Sequence, residues 1–120
     1  MKIALQIIAP AYSYEDADTA MAIAQAAMAR GHEVTIFLFA DSVLAANGDV
    51  KPIRQDRNIP SKLKQLIQEK GLKVQICSLC MEYRGLSPDR IIEGSAPAGL
   101  PGLAEMIVGS DRFVSLSAEG

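Results

Sequence analysis

The chain has a single histidine, only two cysteines, no cluster of Lys and Arg, and no long apolar run. Each shortage removes a class of function. Without a basic patch interleaved with aromatics there is no footprint for nucleic acid, and the net charge of −2 is too small to suggest one. Gln6, Asp16, Asp18 and Arg30 interrupt the apolar N-terminal third, so no stretch approaches the roughly 18 apolar residues of a membrane span. Lys2 and the apolar run after it begin like a signal peptide, but Pro10 and an acidic segment stand where a small-residue cleavage site belongs. A cytoplasmic location is therefore expected, with no membrane and no nucleic acid among the partners. His32 sits in a turn at the amino edge of the expected sheet, the wrong edge for a site, and no Ser-His-Asp set can be built on it. Two cysteines without a nearby histidine cannot supply four zinc ligands from one chain, so no metal is expected unless subunits share a site. The loop after the first strand carries neither GxGxxG nor a P-loop pattern, and no cofactor is expected.

What remains is a chain of 120 residues, about half of them hydrophobic, enough for one domain over residues 1–120 with a real core. The elements begin β-α-β-α-α-β-α-β. Residues 2–8 (KIALQII) form a short, nearly all-apolar strand of the kind covered on both faces. A helix follows over 15–30. Ser13 and Asp16 suggest a capping box with Asp in place of Glu, and Ala17, Ala20, Met21, Ala24, Ala27 and Met28 recur at helical spacing. Residues 33–39 are a second buried strand, 40–46 a short helix, and 47–58 a polar surface loop. Pro60 opens a helix over 60–70 that Gly71 stops, and 72–76 is a third strand. One or two helical turns over 77–84 end at Gly85, and 90–93 is read as a short fourth strand. A helix over 100–109 and a strand over 112–116 complete the chain. Strands separated by helices predict an α/β fold with a mostly parallel sheet, helices on both faces, and a site outside the carboxyl ends of the strands. Four loops meet that condition: 9–14, 40–49, 77–80 and 94–100.

Cys77 falls in one of them, at the turn from strand into helix, with Cys80 about one helical turn further on. Unpaired N–H groups at a helix start favour a thiolate over a thiol, so the position predicts a nucleophilic Cys77. The pair is also close enough to form a disulfide or to share a metal. The plain alternative is that each cysteine is a small, inert core residue, Cys80 turning into the helix–sheet core. Two cysteines at this spacing, in a reducing compartment and on the functional edge, favour chemistry. Around them, Arg84 is placed to hold an anionic sulfur species or else to be a solvated helix-end cation. Asp41 and Asn47 fall near a strand end, and Tyr12 is favoured over Tyr14 as a residue bordering the Cys77 pocket. Apolar residues in loops (Leu79, Met81, Leu86, Ile91, Ile92 and Leu100) predict burial against another copy of the chain.

The run APAYSYEDADTA after the first strand, the run FLFADSVLAAN, the ending SDRFVSL and above all ICSLCMEYRGL resemble the DsrE/DsrF/TusD family of sulfur-relay proteins. The similarity covers nearly the whole chain and points to the YchN-like branch, whose members carry both cysteines. The resemblance implies a three-layer α/β/α domain with a five-stranded sheet and a homo-oligomer, trimer or hexamer. It implies that one cysteine accepts sulfane sulfur as a persulfide and passes it on, with sulfur-donor and sulfur-acceptor proteins as partners. By its position before the Arg84-Gly85 pair, that cysteine corresponds to Cys77. Cys80 has no counterpart in TusD, so the resemblance supports persulfide chemistry rather than any one pathway, tRNA thiolation or sulfur oxidation. Two other functions stay open: a thiol–disulfide redox protein using Cys77 and Cys80, and an oligomeric binding protein with a cysteine-lined site.

Overall fold

Apolar runs need a surface on each side, and four of them become strands of one five-stranded sheet. A computed structural model describes residues 1–117. Its strands are β1 (Lys2–Ile7), β2 (Glu33–Leu38), β3 (Lys73–Cys77), β4 (Ala96–Ala98) and β5 (Arg112–Leu116). They lie in the order β4-β3-β2-β1-β5, and every pairing is parallel, Ile7 beside Leu38 and Leu38 beside Ile76. The helices are α1 (Asp16–Ala29), α2 (Ile59–Lys70), α3 (Ser78–Tyr83) and α4 (Leu100–Gly109), and residues Ala40–Ala46 form a 3-10 helix.

The order fixes the layers. From β1 the chain steps one way along the sheet to β2 and β3, then returns across it through α4 to reach β5 on the far side of β1. Right-handed crossovers in opposite directions place α1 and α2 on one face and α4 on the other. The first face is the drier one. Leu5, Ile7, Val34, Ile36, Leu38, Val74 and Ile76 pack in one core with Ala17, Ala20 and Ala24 of α1 and Leu63 and Leu66 of α2. The alanines let α1 lie close on β1 and β2, which it touches. On the other face α4 buries no side chain completely, and only Leu103 and Met106 pack against the core.

Two local expectations fail for identifiable reasons. Ser13 does not cap α1: the Ser13 and Tyr14 N–H groups both turn back to the Pro10 carbonyl, and the helix starts after Glu15 without a side-chain cap. The fourth strand is Ala96–Ala98, not 90–93. Ile91 and Ile92 look like a strand because both are β-branched, but the segment pairs instead with the chain after the 3-10 helix. Ile91 forms an isolated antiparallel bridge with Asn47, and the Ile92 N–H donates to the Ala46 carbonyl at 2.9 Å. The chain then turns at Gly94, whose φ of +90° and close approach to Ile67, 2.6 Å from where a Cβ would stand, exclude any other residue without strain. Pro97 is tolerated in β4 because that strand is an edge of the sheet. Elsewhere the helix signals hold: the Asn58 side chain accepts the Ser61 N–H, Pro60 lies in the first turn of α2, and Gly71 closes it at φ +78°.

The carboxyl ends of β1 and β2 are tied by a completely buried hydroxyl. The Phe39 N–H is shared between the Ile7 carbonyl (3.0 Å) and Ser42 Oγ (2.9 Å), while the Ser42 hydroxyl donates to the Ile7 carbonyl. Replacing Ser42 with alanine is expected to cost about 1–2 kcal/mol, the worth of a buried hydrogen bond whose partner is left in the core. Urea unfolding of Ser42→Ala checks this, and an unchanged midpoint would show that the tie contributes nothing.

Candidate functional site

β3 runs directly into α3, so Cys77 is both the last strand residue and the cap of the helix. Its backbone is extended (φ −58°, ψ 113°), and its Sγ accepts the N–H of Cys80 at 3.3 Å. The six-residue α3 is anchored by Met81, which is buried, and it presents Leu79 and Tyr83 outward, 52% and 82% exposed. Cys80 lies between these sides, half-buried, and both cysteines are free thiols. The Cys80 Sγ in turn accepts a backbone donor from another element, the N–H of Ala40 at 3.3 Å.

Ala40 is the first residue of the 3-10 helix and takes φ +56°. A non-glycine residue in the left-handed region costs about 1–2 kcal/mol, so the surrounding structure holds it there. Asp41, next along, meets Arg84 from the far end of α3. Arg84 Nε donates to Asp41 Oδ1 at 2.9 Å, and an Arg84 terminal nitrogen donates to the Cys80 carbonyl at 3.0 Å. Because the carboxylate is more than half exposed, the ion pair adds little to stability. Its effect is positional, clasping the cysteine helix to the loop after β2.

These contacts bring together four of the five residues expected from the sequence: Cys77, Cys80, Asp41 and Arg84. Tyr12 is not among the residues these contacts join. It is 41% exposed, and burial pushes its phenol up against the opposing pull of the Arg57 guanidinium. Arg57 itself pairs with Asp18 and donates to the Ala11 carbonyl at 2.7 Å, tying the 50–58 loop to the loop after β1. No hydrogen bond among the described residues links Tyr12 to either cysteine. Ala40 and Ser42 were missed in the sequence. The only signal for Ser42 is a hydroxyl residue three places after a strand end, and nothing in the residue name alanine announces a positive φ.

The electrostatics of Cys77 reverse the expectation of a ready thiolate. Cys77 is only 2% exposed, and burial pushes its thiol up, with the neighbouring Cys80 side chain adding to the effect. The N–H groups of Cys80 and Leu79 pull the other way but do not overcome the loss of water. Burial therefore favours the neutral thiol over the thiolate at Cys77. Among the described residues no group of three or more His, Cys, Asp or Glu side chains could hold a metal, and no helix is long and apolar enough to cross a membrane. A groove of about 300 Å³ between α4 and the sheet, lined by Lys2, Glu33, Lys73, Gln75 and Glu105, opens at the amino edge, the opposite end from the cysteines.

A parallel sheet with a cysteine pair at the carboxyl end of its third strand defines a class, and the comparisons name it. The chain belongs to the DsrE/DsrF-like family, whose sequence model matches residues 1–116. Sulfurtransferase TusD of Klebsiella pneumoniae (strain 342) is 29% identical over 126 aligned residues, covering 95% of this chain and 98% of that one. An archaeal relative, uncharacterized protein MK0008 of Methanopyrus kandleri, is 34% identical over 105 residues, covering 86% and 84%. Among solved structures, the YchN protein of E. coli superposes with a TM-score of 0.82 at 23% identity, over 97% of this chain and 99% of that one. Protein MTH1491 of Methanobacterium thermoautotrophicum follows the same path with a TM-score of 0.76 at 13% identity, over 95% and 97%. These likenesses agree with the expected α/β/α fold and its five-stranded sheet.

The burial difference predicts an order of reactivity. Iodoacetamide on the native protein is expected to modify Cys80 before Cys77, and Cys77 to gain reactivity only at pH values where an exposed thiol is already ionised. A thiol raised on folding contributes stability below the unfolded thiol's ordinary value, and that contribution is lost as pH climbs beyond it. Peptide mapping after timed labelling checks the order; equal rates at the two cysteines would contradict it.

Proposed function

We propose that this protein carries sulfane sulfur in an intracellular relay, holding it as a persulfide on Cys77 and yielding it to a partner protein. The observation that carries the reading is the pair of free cysteines joined at the carboxyl end of β3, in a chain of the DsrE/DsrF-like family. Relatives named sulfurtransferase, aligned over almost their whole length, support the same class of chemistry. In the exchange, a thiolate attacks the outer sulfur of a donor persulfide R–S–SH. The new S–S bond forms as the donor S–S bond breaks, and R–S⁻ leaves to take up the proton. Delivery repeats the step with the acceptor's thiolate as nucleophile and returns the cysteine as a thiol. The protein needs no cofactor for either step, and free thiols are kept available in the reducing cytosol. Exposed Leu79 and Tyr83 beside the pair offer apolar contact to a docking partner.

Incubation with glutathione persulfide should add the mass of one sulfur atom to Cys77, reversibly under reductant. No such gain with both cysteines intact would overturn the carrier reading. A loss of two hydrogens linking Cys77 to Cys80 would instead favour dithiol–disulfide cycling, which the one-turn spacing also permits.

The reading includes a homo-oligomer, trimer or hexamer, but with a different face from the one expected. Met81, Leu86 and Ile92 are buried within the chain and Ile91 is half-buried, leaving only Leu79 and Leu100 exposed of the residues nominated for an interface. The apolar surface lies instead on α4 and the edge strand β5, where Leu100, Val108 (86% exposed), Phe113 and Val114 reach solvent. An open sheet edge and a weakly covered helix on one side of the molecule fit a second copy. Val108→Glu combined with Phe113→Glu is expected to lower the mass found by light scattering; an unchanged mass would place the interface elsewhere.

A further inference from the structure

The carrier reading leaves a steric problem. Cys77 is almost fully enclosed, between the end of β3, the first turn of α3 and the core around Met81. A persulfide borne by another molecule has to bring its outer sulfur into line with the attacking thiolate, and a residue only 2% exposed leaves no open path to its sulfur. Cys80 has the opposite situation. It is half-buried on the helix that also exposes Leu79 and Tyr83, and its Sγ faces the Ala40 N–H at 3.3 Å. That donor is held in place by the Ser42 tie below it and by a backbone conformation that alanine does not adopt freely. A donor already fixed beside a reacting sulfur needs no reorganisation when charge develops there.

Resting on that reading, we propose that Cys80 is the entry thiol: it takes the sulfane sulfur at the surface and hands it inward to Cys77. The first step is Cys80–S⁻ + R–S–SH giving Cys80–S–SH + R–S⁻, with the donor thiolate taking up the proton released by Cys80. The second is Cys80–S–SH + HS–Cys77 giving Cys80–SH + HS–S–Cys77. In it the Cys77 Sγ attacks the outer sulfur, the bond from Cys80 Sγ to that sulfur breaks, and the Cys77 proton moves to Cys80 Sγ. Nothing is oxidised or reduced overall, and no further reactant is required. The Ala40 N–H faces the Cys80 Sγ in both steps, when that sulfur attacks and when it leaves. The two cysteines are already in contact through the Cys80 N–H and Cys77 Sγ, and the Arg84 clasp on the Cys80 carbonyl and Asp41 holds them in register. Burial of Cys77 then has a use, because sulfur that has moved inward is shielded from stray thiols.

The test times the loading of the full-length protein and its Cys77→Ser, Cys80→Ser and Cys80→Ala variants with glutathione persulfide. Peptide mass spectrometry locates the added sulfur, and circular dichroism confirms that each variant is folded. The expected result is loading at Cys77 in the unaltered protein, persulfide trapped on Cys80 in Cys77→Ser, and loading of Cys77 slowed at least about tenfold in both Cys80 variants, a barrier change of about 1.4 kcal/mol. Loading of Cys77 at the unaltered rate in either folded Cys80 variant overturns the entry role and leaves the carrier reading standing. Release of hydrosulfide with formation of a Cys77–Cys80 disulfide in the unaltered protein overturns the inward transfer, since Cys77 would then attack the inner sulfur. Absence of added sulfur on either cysteine overturns both.

Discussion

The site depends on where β2 stops. At that point the Ser42 hydroxyl bridges the ends of β1 and β2, and the chain enters the 3-10 helix with Ala40 in a conformation that alanine seldom takes. Two groups on that short element then reach α3: the Ala40 N–H meets the Cys80 sulfur, and the Asp41 carboxylate meets Arg84. Neither contact is strong. A sulfur acceptor is weak and the ion pair is solvated. Their value lies in being fixed to the stiffest part of the molecule, the centre of a parallel sheet, so that a six-residue helix too short to be stable alone keeps one orientation.

Two opposing effects act on Cys77, and their sizes decide its state. Donor N–H groups at the start of α3 favour a thiolate, whereas enclosure among core side chains removes the water that would solvate it. Enclosure wins, and the thiol is raised. A position argument from sequence sees the first effect only, because the strand-to-helix turn is visible in the residue pattern and the depth of the turn is not. Cys77 ends a strand inside the sheet, and Met81, one turn along α3, is buried in the same core. The same enclosure that makes Cys77 a poor first nucleophile suits it to retaining a reactive sulfur.

Four of the five strands were legible because each is an apolar run bounded by turn residues, and the cysteine pair was legible because two cysteines stood one helical turn apart. The fold class followed from the alternation alone. The misplaced fourth strand shows the limit of that reasoning. Ile91 and Ile92 carry the propensity, but pairing with the chain around Asn47 overrides it, while the weakly β-forming Ala-Pro-Ala segment enters the sheet because it lies at the edge. The clasp between Asp41 and Arg84 joins positions 43 apart, and only the topology that sets the loop after β2 beside α3 could reveal it. Loop hydrophobics were read as interface because sequence shows their character and not their surroundings; Met81, Leu86 and Ile92 are core residues.

The unequal covering of the two sheet faces carries the synthesis one step further. α1 and α2 seal one face with small and branched side chains, but α4 leaves a polar groove at the amino edge and exposed apolar residues along itself and β5. The cysteines lie at the other end of the strands from that groove, on a short helix whose exposed residues are Leu79, Glu82 and Tyr83. Small substrates are held by concave, enclosed sites, whereas a convex helix bearing exposed apolar side chains suits contact with another protein. A thiol on such a helix is placed to meet a thiol or persulfide that a partner presents. In the inward-transfer proposal, Cys77 is the inner half of a two-sulfur device and the half-buried Cys80 is where that device would meet the partner.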